Sequence, residues 1–125
     1  MTPAGTERER AARALTEALD SKLLSALAEP GRVQIVKFLL LHGPSDASAI
    51  AGPLPIERSV VSRHLKILLE AGVVSVRRDG RRRIYELDGP GFVSRLEELV
   101  GRARAVVMMC CPPAPVVALR RKTDA

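Results

Sequence analysis

The chain is poor in aromatic rings, cysteine and histidine, and each scarcity removes a class of function. Aromatics make up 2% of the residues: Phe38, Phe92 and Tyr85, with no tryptophan. Proteins that hold single strands or RNA loops stack bases on aromatic rings, so so few rings argue against that class. The two cysteines, Cys110 and Cys111, are neighbours, which speaks against a disulfide framework and for free thiols in a reducing compartment. With His42 and His64 as the only histidines, no nucleophile, base and acid come together as a set, and the chain reads as a non-enzyme. No apolar run approaches the ~18 residues of a membrane span. Met1 to Arg10 carries charges of both signs and no apolar stretch of the signal-peptide kind. The expectation is a cytoplasmic chain with no membrane partner.

What is present is charge and a core. The 125 residues suit one domain, and 46% of them are apolar, enough to bury a core. The formal net charge is +6. The sequence pI of about 10.1 points to an anionic partner. Residues 57–83 hold eight cations (Arg58, Arg63, Lys66, Arg77, Arg78, Arg81, Arg82 and Arg83) against Glu57, Glu70 and Asp79. Nearly all of the excess charge therefore lies in about a fifth of the chain. A charge run is usually a solvated face, but this one coincides with a patterned helix and a hairpin, which favours a binding face.

Periodicity predicts a mainly helical fold with one small hairpin. Leu15, Leu19, Leu23 and Leu27 recur every four residues from Thr6 to Ala28, with a break at Asp20 or Ser21. Pro30-Gly31 reads as a stop. A second helix over Val33–Leu41 carries Val33, Val36, Phe38, Leu40 and Leu41, and reads as central to the core. Ser45 or Asp46 caps a short helix, Ala47–Ala51, with Ile50 inward, and residues 52–55 form a turn. Ile56–Ala71 has a buried stripe at Val61, Leu65, Leu68 and Leu69. Its other face carries Ser59, Ser62, Arg63 and Lys66, residue types that read base edges and phosphates in a major groove. Val73–Arg78 and Arg82–Leu87 flank the turn signal Asp79-Gly80, with Val74, Val76, Ile84 and Leu87 packing the hairpin against the helices.

The last helix, Phe92–Cys111, repeats Phe92, Leu96, Leu99, Ala103, Val106 and Cys110 at alternating intervals of four and three. That is the seam of a helix with a partner, widened by Val93, Val100 and Val107. Glu98 and Arg102 are spaced as an ion pair. Residues 1–111 read as a single DNA-binding and dimerisation domain. Residues 112–125 read as a Pro-rich tail made basic by Arg120, Arg121 and Lys122.

Leu27-Ala28-Glu29-Pro30-Gly31-Arg32 with Ile35 and Leu39-Leu40, Ser62-Arg63-His64-Leu65-Lys66, Glu70-Ala71-Gly72-Val73-Val74, and Arg77-Arg78-Asp79-Gly80-Arg81 with Tyr85 resemble the ArsR/SmtB family of winged helix-turn-helix repressors, mostly metal sensors. The resemblance covers about half of the chain. It implies that Ile56–Ala71 is the recognition helix, that Arg77–Tyr85 is the wing, and that the first and last helices form a homodimer interface, here Leu15, Leu19, Phe92, Leu96, Leu99, Ala103 and Val106. A two-fold dimer places two recognition helices about one turn of double-stranded DNA apart, hence a near-palindromic operator. Ser59, Ser62 and Arg63 are candidates for base edges. Lys66 and the wing arginines Arg77, Arg78, Arg81, Arg82 and Arg83 are candidates for phosphates, one wing arginine for the minor groove, and Arg58 is a further DNA-binding candidate. His64 has two readings, a phosphate contact or a hydrogen-bonding structural residue.

Two sensing sites known in that family lack their residues here. Ser45–Gly52 has no cysteine for an arsenic-type pair, and Phe92–Cys111 has no histidine for a zinc-type set. What remains is Cys110-Cys111 beside Met108-Met109, soft donors that select soft metals. Cys110 also fits the apolar seam as a small hydrophobe. Cys111, about 100° further round a helix, lies off it. The expected inducer is mercury(II), with arsenite or antimonite next and no organic cofactor. The rival readings are a thiol-redox or persulfide sensor on the same fold and a sequence-neutral architectural DNA binder, against which the Ser/Arg face argues.

Overall fold

The computed structural model describes residues 3–110. The elements are α1 (Pro3–Leu19), α2 (Lys22–Leu27), α3 (Pro30–His42), α4 (Ala47–Ala51), α5 (Arg58–Glu70), β1 (Val74–Asp79), β2 (Arg82–Leu87) and α6 (Gly89–Cys110). This is the expected winged helix-turn-helix, mainly helical with a two-stranded antiparallel wing. The break after α1 falls where a cap was expected. Ser21 is extended, and its hydroxyl accepts the Leu24 N–H at 3.3 Å, satisfying a donor that a new helix leaves unpaired. Asp46 does the same for α4, accepting from the Ala49 N–H at 2.8 Å.

Two expectations for α3 are corrected. Pro30 does not stop the chain but opens the helix, because the first helical turn has no use for the missing N–H and the fixed φ of proline fits it. Glu29, just before it, caps the helix by accepting from the Gly31 N–H. Nor do Val33, Val36, Phe38, Leu40 and Leu41 form its buried face. Ile35 and Leu39 do, one turn apart, while Val36 and Phe38 are half-buried. Val33 faces solvent, and Leu40 and Leu41 are 70% and 68% exposed. Apolar residues occur all round this helix, but α2, α4, α5 and β2 pack against it and bury only one stripe.

Residues 20–97 pack as one compact unit. Its core gathers Leu23 and Ala26 of α2, Ile35 and Leu39 of α3, Ile50 of α4, Val61, Leu65 and Leu68 of α5, and Val74 and Tyr85 of the wing root. Phe92 and Leu96, on the first turns of α6, pack against it half-buried. Burial differs between the two strands: on β1 only Val74 at the root is buried, whereas on β2 Tyr85 and Ile84 are buried and Leu87, at the root, is half-buried. Val76, expected to pack inward, is exposed, although Tyr85 opposite it on β2 is buried: β2 and not β1 carries the hairpin's packing beyond the root. The tip turns on Gly80 and Arg81, with Gly80 at φ 66 and Arg81 not at positive φ. Those are the signs of a II′ hairpin turn, in which glycine supplies the first position.

α1 and the part of α6 from Glu98 onward form a second unit. Within it Ala18 is buried, whereas Leu15, Leu99, Ala103 and Val106 are half-buried. Glu98 and Arg102 pair at 2.6 Å, as their spacing implied. Cys110 is the last residue of α6. Its side chain, Cys111 and the tail from Pro112 lie outside the described residues. Among the described residues no helix is long and apolar enough to cross a membrane.

Candidate nucleic-acid interface

The exposed face of α5 and the wing enclose a cleft of about 620 Å³. Its walls carry Arg58, Ser62 and Lys66 from α5, spaced at four residues so that they share one face, and Arg81, Arg82 and Arg83 from the wing tip. The α4 N-terminus closes one end with Asp46, the one carboxylate among these lining residues. Ser59 and Arg63 are exposed on α5 next to the cleft. Helical spacing of about 100° per residue places them on its outer lip.

The wing is strapped to the body at two points. Ser45 and Tyr85 exchange backbone hydrogen bonds at 3.0 and 2.8 Å, an antiparallel bridge outside the hairpin itself. Arg82 Nε donates to Asp46 at 2.9 Å. Asp46 thus caps α4 and orients a wing arginine at once. The Ala49 N–H and the Arg82 guanidinium hold its carboxyl below the usual range, with Arg58 adding to the effect. Among the described residues, the remaining wing arginines have no such partner. Arg78 and Arg83 stand directly opposite each other on one face of the hairpin. Two like charges in that relation repel, and a polyanion lying between them removes the penalty.

The expected site residues therefore sort into groups. Arg58, Ser62, Lys66, Arg81, Arg82 and Arg83 converge on the cleft, with Arg82 already engaged. Ser59, Arg63, Arg77 and Arg78 are exposed but do not line it. His64 is apart from them. Two residues along a helix are roughly 200° round it, which turns His64 away from Ser62 and toward α3. There its Nδ1 lies 3.2 Å from Arg32 Nη1. Burial first, then the adjacent Arg32 charge, lower its pKa from 6.5. Glu29 pulls the other way and Arg63 adds to the lowering.

Of the expected interface residues, Leu15, Phe92, Leu96, Leu99, Ala103 and Val106 are half-buried and Leu19 is exposed. Val93, Val100 and Val107, one heptad apart, are 46 to 49% exposed. Among the described residues no three His, Cys, Asp or Glu side chains gather as metal ligands. The thiols of Cys110 and Cys111 fall outside this description. Two residues escaped sequence reasoning: Asp46 as a partner of the wing, and Arg32 as a partner of α5. Both are contacts between segments distant in sequence, and spacing carries no trace of them.

Comparison with known proteins agrees with this architecture. Residues 29–76, from the α3 cap into β1, match the model for bacterial regulatory proteins of the arsR family. The HTH-type transcriptional regulator Rv2034 of Mycobacterium tuberculosis is 42% identical over 74 residues, covering 59% of this chain and 68% of that protein. A probable mercury resistance operon repressor of Streptomyces lividans is 32% identical over 101 residues, covering 76% and 77%. Among solved structures, the homodimeric winged helix-turn-helix DNA-binding domain of Mb0332 from Mycobacterium bovis, a possible ArsR-family regulator, superposes with a TM-score of 0.56. It is 30% identical, with 74% of this chain and 82% of that one covered. With the wing, the basic cleft and these relatives together, the chain belongs to the arsR family of bacterial transcriptional regulators.

Proposed function

We propose that the protein is a homodimeric, cytoplasmic transcriptional repressor that grips a near-palindromic operator with α5 and the wing. It lets go when Cys110 and Cys111 bind a thiophilic metal, mercury(II) first and arsenite or antimonite second. The observation that carries the DNA half is the cleft. Five cations and the Ser62 hydroxyl converge there from α5 and the wing, and among the described residues the facing pair Arg78–Arg83 has no counterion. Ser59, Ser62 and Arg63 would read base edges, and the wing arginines and Lys66 phosphates. Residues 1–111 act in this reading as one domain, paired through α1 and α6 along Leu15, Leu19, Phe92, Leu96, Leu99, Ala103 and Val106, with residues 112–125 as a tail.

The inducer half rests on donor chemistry and on one relative. Thiolates are soft ligands, one chain offers two of them, and two-sulfur coordination suits mercury(II). Arsenite and antimonite want a third donor, which the partner chain could supply. The Streptomyces lividans relative is a probable mercury resistance repressor. Release requires that metal bind the free dimer more tightly than the DNA-bound one, and a coupling of ~1–3 kcal/mol gives partial release.

One assay tests both halves. A duplex is selected from a randomised library by the wild-type protein, and its release is followed with mercury(II), arsenite, antimonite, cadmium(II), zinc(II) and peroxide. The variant Cys110→Ser/Cys111→Ser should bind the duplex as the wild type does and ignore mercury(II). Normal release by the double variant removes the thiol site. Release by peroxide but by no metal assigns the signal to thiol oxidation instead.

A further inference from the structure

The junction of α2, α3 and α5 contains a contact that the DNA cleft does not use. Arg32, half-buried on the first turn of α3, donates from Nε to the Ala26 carbonyl at 2.6 Å and from Nη2 to the Ser25 carbonyl at 3.3 Å. Those carbonyls close α2, where a cation is favoured. Its third nitrogen, Nη1, faces His64 Nδ1 at 3.2 Å. A guanidinium can only donate, so Nδ1 must accept, and the proton of the neutral ring sits on Nε2. The Nε2 edge is enclosed as well, since a Cβ added to Gly31 would stand 3.0 Å from it. The imidazole is therefore held between the arginine on one edge and a bare backbone on the other.

We propose that Arg32 is a positioning residue for DNA reading, acting through His64, and that the missing side chain of Gly31 makes room for that ring. The inference rests on α5 being the reading helix. The lever is geometric. His64 projects from the side of α5 roughly opposite Ser62, so fixing the ring fixes the rotation of the helix about its axis, and with it the direction of Ser59, Ser62 and Arg63. The planar guanidinium sets the three acceptors in one relation, which a lysine ammonium cannot do.

The device works with a neutral ring. A second proton on His64 removes the acceptor and sets a cation against Arg32, with Arg63 also near and Glu29 the one opposing charge. Because the folded value lies below 6.5, the junction is intact above pH 6.5. It weakens as the pH falls from there through the folded value.

The test compares affinity for the duplex selected by the wild type with affinity for a random duplex, from about pH 5.5 to 8, with each variant confirmed folded by circular dichroism. Arg32→Met and His64→Leu should each lower the specific-to-random ratio about tenfold, the scale of one hydrogen bond to a charged group, and the double variant should be no worse than either. Random-duplex affinity should stay near that of the wild type, because the cleft is untouched. His64→Asn, whose Oδ1 can take the place of Nδ1, should restore the ratio and remove its fall below pH 6.5, while Arg32→Lys should restore neither. Gly31→Ala keeps both partners and presses on the ring, and should lower the ratio a few-fold. If the ratio is unchanged in Gly31→Ala and His64→Leu, or if the Arg32 and His64 losses simply add, the coupling does not exist. If the wild type itself selects no sequence, the reading of α5 fails, which is a different result from a selective loss in the variants.

Discussion

The two helices to which the proposed function assigns reading and pairing, α5 and α6, bury their apolar stripes to very different degrees. On α5, Val61, Leu65 and Leu68 are wholly enclosed by elements of the same chain, so its other face can be given over to polar side chains and held still. On α6, Leu99, Ala103 and Val106 are half-buried, and Val93, Val100 and Val107 leave nearly half their surface in water. A heptad stripe left in water is unfinished, because nothing offsets its hydration. In the proposed reading the DNA face is thus complete in one chain, whereas the α6 stripe is the surface left for a second. That division suits a regulator in which one helix reads and another reports.

The sharpest way to break this comparison is to charge the unfinished stripe. Val100→Glu places a carboxylate at its middle, in a position already open to solvent in the single chain, so residues 20–97 should melt as before. The dimer should be lost. Affinity for a two-half-site duplex should then fall by about 10²- to 10⁴-fold, as expected when two linked contacts become one. Sedimentation and a DNA titration on the same sample check both. A variant that stays dimeric would mean that the α6 stripe is not the interface.

Within the finished face, the next effects should divide by element. Arg63→Ala removes a candidate base contact and should cost ~1–3 kcal/mol on the selected duplex and little on random DNA. Arg83→Ala removes a wing charge and should weaken both duplexes alike, lowering the slope of log affinity against log salt by about one. Equal behaviour of the two variants would dissolve the distinction between reading helix and gripping wing.

The legible parts of the molecule were those decided by neighbours along the chain. The α5 stripe, the caps at Ser21 and Asp46, the Gly80 turn and the Glu98–Arg102 pair all follow from spacing or local chemistry. What misled was α3, where apolar residues surround the helix and only packing decides that Ile35 and Leu39 go inward while Leu40 and Leu41 stay out. Pro30 misled for a related reason. The same residue ends a helix or opens one according to which side the chain continues on. Illegible altogether were the long-range polar contacts, Arg82 with Asp46 and Arg32 with His64, each joining segments more than thirty residues apart. Adjacency also sets His64 beside Ser62, from which about 200° of helical rotation separates it, and the fold brings it against Arg32.

The smallest effect should come from Asp46, and it separates the fold of the cleft from its charge. Asparagine caps a helix about as well as aspartate, so Asp46→Asn should leave α4 in place and the protein folded near neutral pH, as circular dichroism would show. What it removes is the one carboxylate among the residues lining the cleft and the anchor of Arg82. Freed from that partner, Arg82 becomes available to phosphate. Affinity should rise a few-fold for selected and random duplexes alike, and the salt slope should steepen by up to about one. The acid limb gives an independent reading. Because the folded Asp46 carboxyl lies below its ordinary 3.8, its contribution to stability is present above that pH and is lost as the pH falls through the folded value. The asparagine variant should lose less stability than the wild type over that interval. If Asp46→Asn instead weakens binding to both duplexes, the carboxylate is holding Arg82 in its working position rather than competing with DNA for it, and the wing belongs with the finished, pre-set parts of the reading face.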